Sequence, residues 1–220
     1  MNNPGDYIKE LKKLTGRLVG VNLEAIDLNN YENYRNIIPL GRVATVENAR
    51  IAKEMGANFI VLTGNPNTGV NYDSIINCVK KIKEKVDIVI FAGKMHSCGI
   101  SESLDSRYIK ELTKSGCEIV IVPAPGTVPG MTVEVVKKII DEIHKYNALA
   151  MTTIGTSQEG ADENTIRNIA IMAKMAGADI HHLGDCGLAG VTIPENIMAY
   201  SIAIRGRRHT YFRMAASINR

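Results

Sequence analysis

Apolar residues along this chain fall into six short runs separated by longer amphipathic stretches. The runs are RLVGVNL at Arg17–Leu23, FIVLT at Phe59–Thr63, IVIFA at Ile88–Ala92, EIVIV at Glu118–Val122, ALAMTTI at Ala148–Ile154 and IHHL at Ile180–Leu183. They are short and rich in Val and Ile, as strands buried on both faces should be. The stretches between them carry apolar residues at helical spacing. Helices are predicted over Asp6–Leu14, Arg42–Met55, Asn71–Lys85, Ser106–Ser115, Val133–Tyr146 and Glu163–Met175. Gly16, Gly56, Gly116 and Gly177 close four of them. Two terminal helices, Pro194–Arg205 and His209–Asn219, flank Gly206.

The pattern predicts βα repeated six times in one domain over residues 1–220. The chemically rich loops follow strands, which is what a parallel sheet or barrel with its site at the strands' carboxyl ends produces. An open doubly wound sheet would concentrate its site at one switch point. Rich loops after all six strands favour the barrel, so the predicted class is α/β and TIM-barrel-like, with six parallel βα units of an incomplete eight-unit barrel.

Composition adds exclusions. Apolar content of 45% and charged content of 22% are globular values. A net charge of +3 is too small to argue for nucleic acid, and 5% aromatics with no Trp argue against stacking platforms for single strands. Cys78, Cys98, Cys117 and Cys186 show no CxxC spacing, which suits a reducing compartment. No apolar run reaches the ~18 residues of a membrane span, and the first residues do not form a signal peptide. The expected location is the cytoplasm, without a membrane partner.

The stretch ADIHHLGDCGLAGVTIPEN, residues 178–196, runs from a strand through a glycine-rich turn to a helix start at Pro194-Glu195. Such a stretch makes an anion cradle, because backbone N–H groups converge where no side chain intervenes. Gly184, Asp185 and Gly187 are its predicted ligand groups. In IGTSQEG, Gly155, Thr156 and Ser157 supply further phosphate donors and Glu159 an acid or base.

The blocks VLTGNPNTGV, FAGKMHSCG, VPAPGTVPGMT, TTIGTSQEGAD, IHHLGDCGLAG and YSIAIRGRRHTYFRMAASINR resemble a bacterial family of uncharacterised TIM-barrel-like proteins. Its members are labelled haloacid-dehalogenase-like hydrolase or phosphonomutase-like. The resemblance covers nearly the whole chain and matches the family's last six βα units. It implies that the fifth and sixth strands correspond to strands seven and eight of a full barrel, whose loops are that fold's usual phosphate site. The labels fare worse against the residues. Haloacid dehalogenase chemistry needs a DxD at a strand end, and the chain has none. The phosphonomutase label implies an acidic, Mg-binding loop. GKMHSCG holds Cys98 between Lys and Gly without the acidic cluster.

Glu24 and Asp27 follow the first strand and are candidates for a base or for a divalent cation such as Mg; loop capping is the plainer role. Asn65 is a candidate for substrate hydroxyls. Lys94 and His96 follow the third strand, where a lysine can form a Schiff base or bind an anion and a histidine can move protons. The three prolines of PAPGTVPGMT imply a rigid, specially shaped loop. Alternation along the last strand sends one of His181 and His182 to the helices and the other to the pocket, and His182 is the pocket choice. The expected function is an enzyme of lyase, aldolase or isomerase type on a small phosphorylated metabolite. The alternatives are a non-enzymatic ligand-binding or assembly protein, and the hydrolase of the family label. The first strand lacks a Pro or Lys guard, and the C-terminal tail mixes arginines with Tyr211, Phe212 and Met214. Both features predict a homo-oligomer.

Overall fold

The structure, a computed structural model, describes residues 6–64, 68–96, 103–184 and 192–216. Six strands form one sheet in the order β1-β2-β3-β4-β5-β6. They are β1 (Gly20–Glu24), β2 (Phe59–Thr63), β3 (Val89–Gly93), β4 (Ile119–Pro123), β5 (Leu149–Thr153) and β6 (Ile180–His182). Every neighbouring pair is parallel. The helices are α1 (Tyr7–Thr15), α2 (Val46–Glu54), α3 (Tyr72–Lys83), α4 (Ser106–Lys114), α5 (Val133–His144), α6 (Glu163–Ala176) and α7 (Pro194–Ala215). Sequential order excludes a doubly wound sheet, which reverses its strand order at a switch point. The result is a curled half-barrel.

Alternation along each strand builds two cores. Ile60, Leu62, Ile90, Ala92, Val120, Val122 and Ala150 face the helices and are fully buried with Ile75, Ile82, Leu112 and Ile140. The concave face holds Ile119, Ile121 and Met151, packed with Val61, Phe91, Met95 and Ile180. The register lines these up across the sheet, Ile121 beside Met151 and Met151 beside Ile180. Phe59 and Phe91 stack with ring centroids 4.4 Å apart. Lower on the concave face, Val89 and Leu149 are 40% and 45% exposed, because six strands leave the lumen open.

Local caps fix the helix starts. Thr45, Asp105, Thr132 and Asp162 each accept a hydrogen bond from a backbone N–H of the first turn, and Asn71 and Ser74 form a reciprocal capping box. Two predicted starts move. The first strand begins at Gly20, since Val19 N–H donates to the Asn58 side chain and Leu18 is 74% exposed. The second helix begins at Val46, because Leu40–Arg42 form a 3-10 turn and Val43 bridges to Glu24. The terminal helices run as one element broken at Gly206, whose φ is 77°.

The two ends of the chain meet. Arg17 Nη2 donates to the carbonyls of Arg213 at 2.8 Å and Ala216 at 3.3 Å, which ties the end of α7 to the approach of β1. A guanidinium suits a helix C-terminus, where carbonyls lack intrahelical partners.

Gly93 ends β3 at φ 145°, and a Cβ there would lie 2.5 Å from the Ile121 carbonyl oxygen. Gly93→Ala is therefore expected to destabilise the chain by about 1–3 kcal/mol through backbone strain alone, with the clash added. Urea unfolding of the variant against wild type measures it, and an unchanged midpoint would show that β3 can end without this turn.

Candidate functional site

The strands' carboxyl ends carry the polar residues that interrupt the apolar alternation. Glu24 ends β1 at 1% exposure, and its register partner Thr63 ends β2 at 2%. Arg42 approaches Glu24 Oε1 at 3.8 Å, and the Ala44 N–H donates to the Glu24 carbonyl. The Thr63 hydroxyl is buried and has no hydrogen-bond partner among the described residues. A buried carboxylate beside an unsatisfied hydroxyl is costly to keep, which marks this rim as a candidate for function. Asp27 takes the other course. It is exposed and its carboxylate accepts from Asn29 N–H at 3.0 Å, capping the 3-10 turn Leu28–Asn33.

The exit of β3 splits its residues between two sides. Lys94 shares the side of Ala92 and runs toward the helices, 2% exposed, with Nζ 4.9 Å from the centre of the Tyr72 ring. Met95 turns the other way into the concave core. The Thr153 hydroxyl donates to the Met95 carbonyl at 3.0 Å, so the β3 loop reaches across β4 to β5. His96 follows, with Cδ2 3.1 Å from where a Cβ on Gly155 would sit. Burial holds the His96 imidazole below its usual pKa, so at neutral pH it is uncharged and able to accept a proton.

The β5 and β6 loops close on each other in the same region. Gly184 has φ 82°, and a Cβ on it would lie 2.0 Å from Glu159 Oε2 and 2.7 Å from the Ile154 carbonyl oxygen. Only glycine allows that approach. The Gly184 N–H donates to His182 Nδ1 at 3.2 Å, and the Thr192 hydroxyl donates to the Gly184 carbonyl. α7 starts two residues later, with Pro194 in its first turn. The Thr156 hydroxyl donates to Gln158 within the loop, while Ser157 is exposed. His181 points the opposite way from His182. Its Nδ1 lies 2.9 Å from the Tyr200 hydroxyl, and burial pushes the His181 pKa down and that of Tyr200 up. A neutral imidazole and a neutral phenol therefore share this hydrogen bond, and His181 serves the packing of α7.

The described loops thus place His96 against Gly155, and Glu159 and His182 against Gly184, with Thr156 and Ser157 in the β5 loop alongside. Glu24 stands at the far edge of the sheet, Asp27 caps its own turn, and Lys94 lies on the helix side. Asn65, Asp185 and Gly187 lie outside the described residues. Among the described residues no group of three His, Cys, Asp or Glu side chains is placed to hold a metal ion. No helix among them is long and apolar enough to cross a membrane. Thr63 and Tyr72 are site neighbours that sequence reasoning missed. Only their places at a strand end and in a first helical turn could have signalled them.

A six-unit parallel half-barrel with its polar loops at the strands' carboxyl ends defines a TIM-barrel-like α/β protein. The chain belongs to the family described as a domain of unknown function, DUF7916, whose model matches residues 1–220. No curated protein matches it. Among solved structures it is similar to the tetrameric deoxyribose phosphate aldolase from Aeropyrum pernix, at 14% identity and TM-score 0.57, covering 92% of this chain and 80% of that one. It is also similar to a candidate phosphonomutase from Burkholderia cenocepacia J2315, at 13% identity and TM-score 0.55, covering 89% of this chain and 79% of that one. At these identities the likeness establishes the shared fold.

His96 and His181 both have folded pKa values below the ordinary 6.5. The folded chain then refuses protons that the unfolded chain accepts. Their contribution is steady above about pH 7 and drains away as pH falls through about 6.5. Chemical denaturation at pH 7.5 and pH 5.5 should show lower stability at the lower pH. The His96→Asn and His181→Asn double variant should lose part of that difference. A pH dependence identical to wild type would mean that neither imidazole is protected from protonation.

Proposed function

We propose that this protein is an enzyme of lyase or isomerase type acting on a small phosphorylated metabolite. The observation that carries the reading is the packing of His96 against Gly155, and of Glu159 and His182 against Gly184, in loops at one end of the sheet. Two imidazoles and a carboxylate are the groups that move protons during carbon–carbon cleavage or isomerisation, and each such group contributes about 10²–10⁴-fold to rate. The neutral His96 is the base of this reading, with Glu159 and His182 as its partners in proton transfer. Glu24 is a second carboxylate at the rim, and Asp27 supports its loop.

In this reading the phosphate of the substrate binds the backbone of Gly155, Thr156, Ser157 and Gly184, with Asp185 and Gly187, outside the described residues, as further candidates from the sequence. Glycine-rich backbone before a helix start suits an anion. The names of the two structural neighbours, a deoxyribose phosphate aldolase and a candidate phosphonomutase, both point to phosphorus-bearing compounds. Asn65 is retained as a contact for substrate hydroxyls.

Titrating inorganic phosphate should shift the backbone amide resonances of Gly155, Thr156 and Ser157. In a screen of phosphorylated sugars and sugar acids, His96→Asn should lower turnover of any accepted compound at least 100-fold while leaving the fold intact. Unmoved loop amides would remove the phosphate site. Binding with no turnover of any compound would favour the alternative, a non-enzymatic ligand-binding protein.

The same reading includes a homo-oligomer. β1 and β6 are open edges of a parallel sheet, and natural proteins cover such edges. Beside them Leu14 is 72%, Leu18 74% and Phe212 69% exposed. The aldolase neighbour is itself a tetramer. Sedimentation at micromolar concentration should show a species larger than the 24.0 kDa chain. A monomer there would mean that the ends of α1 and α7 shield the edges from within.

A further inference from the structure

The proline-rich loop after β4 has no part in the proton-transfer groups, yet hydrogen bonds within it hold its shape. The Thr127 hydroxyl donates to the Ala124 carbonyl at 2.7 Å, and the Gly126 N–H donates to the Met131 carbonyl at 2.9 Å. The loop is therefore preformed, which spares a ligand the cost of ordering it. It walls one side of a cavity of about 560 Å³ that lies between the β3 and β4 exits. That volume falls within the range of small-molecule sites.

The lining has a consistent sign. Lys94 and Lys138 both reach this cavity and His96 forms part of its wall, while no Asp or Glu lines it among the described residues. Pro129 and Met131 supply an apolar wall. Lys94 is 2% exposed and fixed against the Tyr72 ring, so its charge acts with little solvent screening. Lys138 is exposed on α5 and offers a second ammonium to the cavity. Compact ammonium groups on flexible stems suit carboxylate and phosphate as point charges. His96 also connects the cavity with the cluster at the mouth, because its ring lies against Gly155. A ligand in the cavity and a phosphate on the Gly155 loop would both lie beside the His96 imidazole.

We infer that this cavity binds the second acidic group, a carboxylate or a second phosphate, of a doubly anionic phosphorylated substrate. The inference rests on the phosphate reading above for the substrate's other end. It gives Lys94 the role of an anion anchor on the helix side of the sheet. The substrate then spans His96, the residue placed to take its proton.

The test titrates succinate and ethyl phosphate separately, at constant ionic strength, into wild type, Lys94→Met, Lys138→Glu and Lys137→Glu. Lys137 is exposed on the same helix, pairs with Asp141 and does not line the cavity, so its reversal makes the same change in net charge. The expected result is that at least one probe shifts the backbone amides of Gly130, Met131 and Lys138. Its affinity should fall tenfold or more in Lys138→Glu and Lys94→Met and little in Lys137→Glu. The tighter probe identifies the acidic group as carboxylate or phosphate. If Lys94→Met does not fold, the contrast between Lys138→Glu and Lys137→Glu carries the test. No cavity shifts with either probe, or equal weakening by the two charge reversals, overturns the inference. Ethyl phosphate that shifts the cavity amides but never those of Gly155 to Ser157 overturns the phosphate reading instead and leaves the cavity site standing.

Discussion

The parallel pairing of six strands in sequence order is the constraint from which the rest of the structure follows. Two parallel neighbours cannot be joined by a hairpin, so each step from β1 to β6 needs a crossover over one face of the sheet. Crossovers of one hand, repeated without reversal, place the helices on a single convex side and curl the sheet. They also deliver every strand-to-helix loop to the same end. The cluster at the mouth is a consequence. His96 comes from the third strand, Glu159 from the fifth and His182 from the sixth. Pairing, rather than nearness in sequence, makes them neighbours.

The two faces of the sheet account for which residues those loops can carry. Toward the helices, Ile60, Ile90, Val120 and Ala150 are fully buried, and a polar side chain there would lose its water without recompense. Toward the lumen the apolar filling stops near Ile121 and Met151, and Glu24, Thr63, Thr153 and His182 take the next positions up. The Thr153 hydroxyl is satisfied by the Met95 carbonyl, whereas that of Thr63 is not satisfied. An unmet buried hydroxyl costs about 1–3 kcal/mol. Thr152 and Thr210 carry the same cost away from the rim, so the unmet hydroxyl of Thr63 gains meaning only from its place beside Glu24.

Much of this architecture was legible in the order of residues. FIVLT reads as a strand from Phe59 to Thr63, and the structure gives it those same ends. The closing glycines at 16 and 177 sit in left-handed caps, as their positions suggested. Boundaries failed where distant groups decide them. The first strand starts late because the Asn58 side chain takes the Val19 N–H, and nothing within RLVGVNL announces that. The position of Lys94 is a subtler case. Its place after a strand suggests a pocket residue in the lumen, but alternation from Ala92 sends it to the helices, where Tyr72 of α3 receives it. The cavity it joins draws on α3, β3, β4 and α5 together, and no local pattern encodes a space assembled from four elements.

The approach of the mouth loops depends on side chains that are missing. A Cβ on Gly184 would strike the Glu159 carboxylate, and one on Gly155 would press on Met95 and His96. In both cases the neighbour is a titratable residue from another loop or the backbone that carries it. Ordinary turn chemistry would place glycine according to the chain's own curvature and leave the surrounding residues free to vary. Here the space left by Gly184 is filled by the Glu159 carboxylate, and that left by Gly155 by Met95 and the edge of the His96 ring. Packing therefore fixes those groups in place, which is the condition under which a proton transfer gains from orientation.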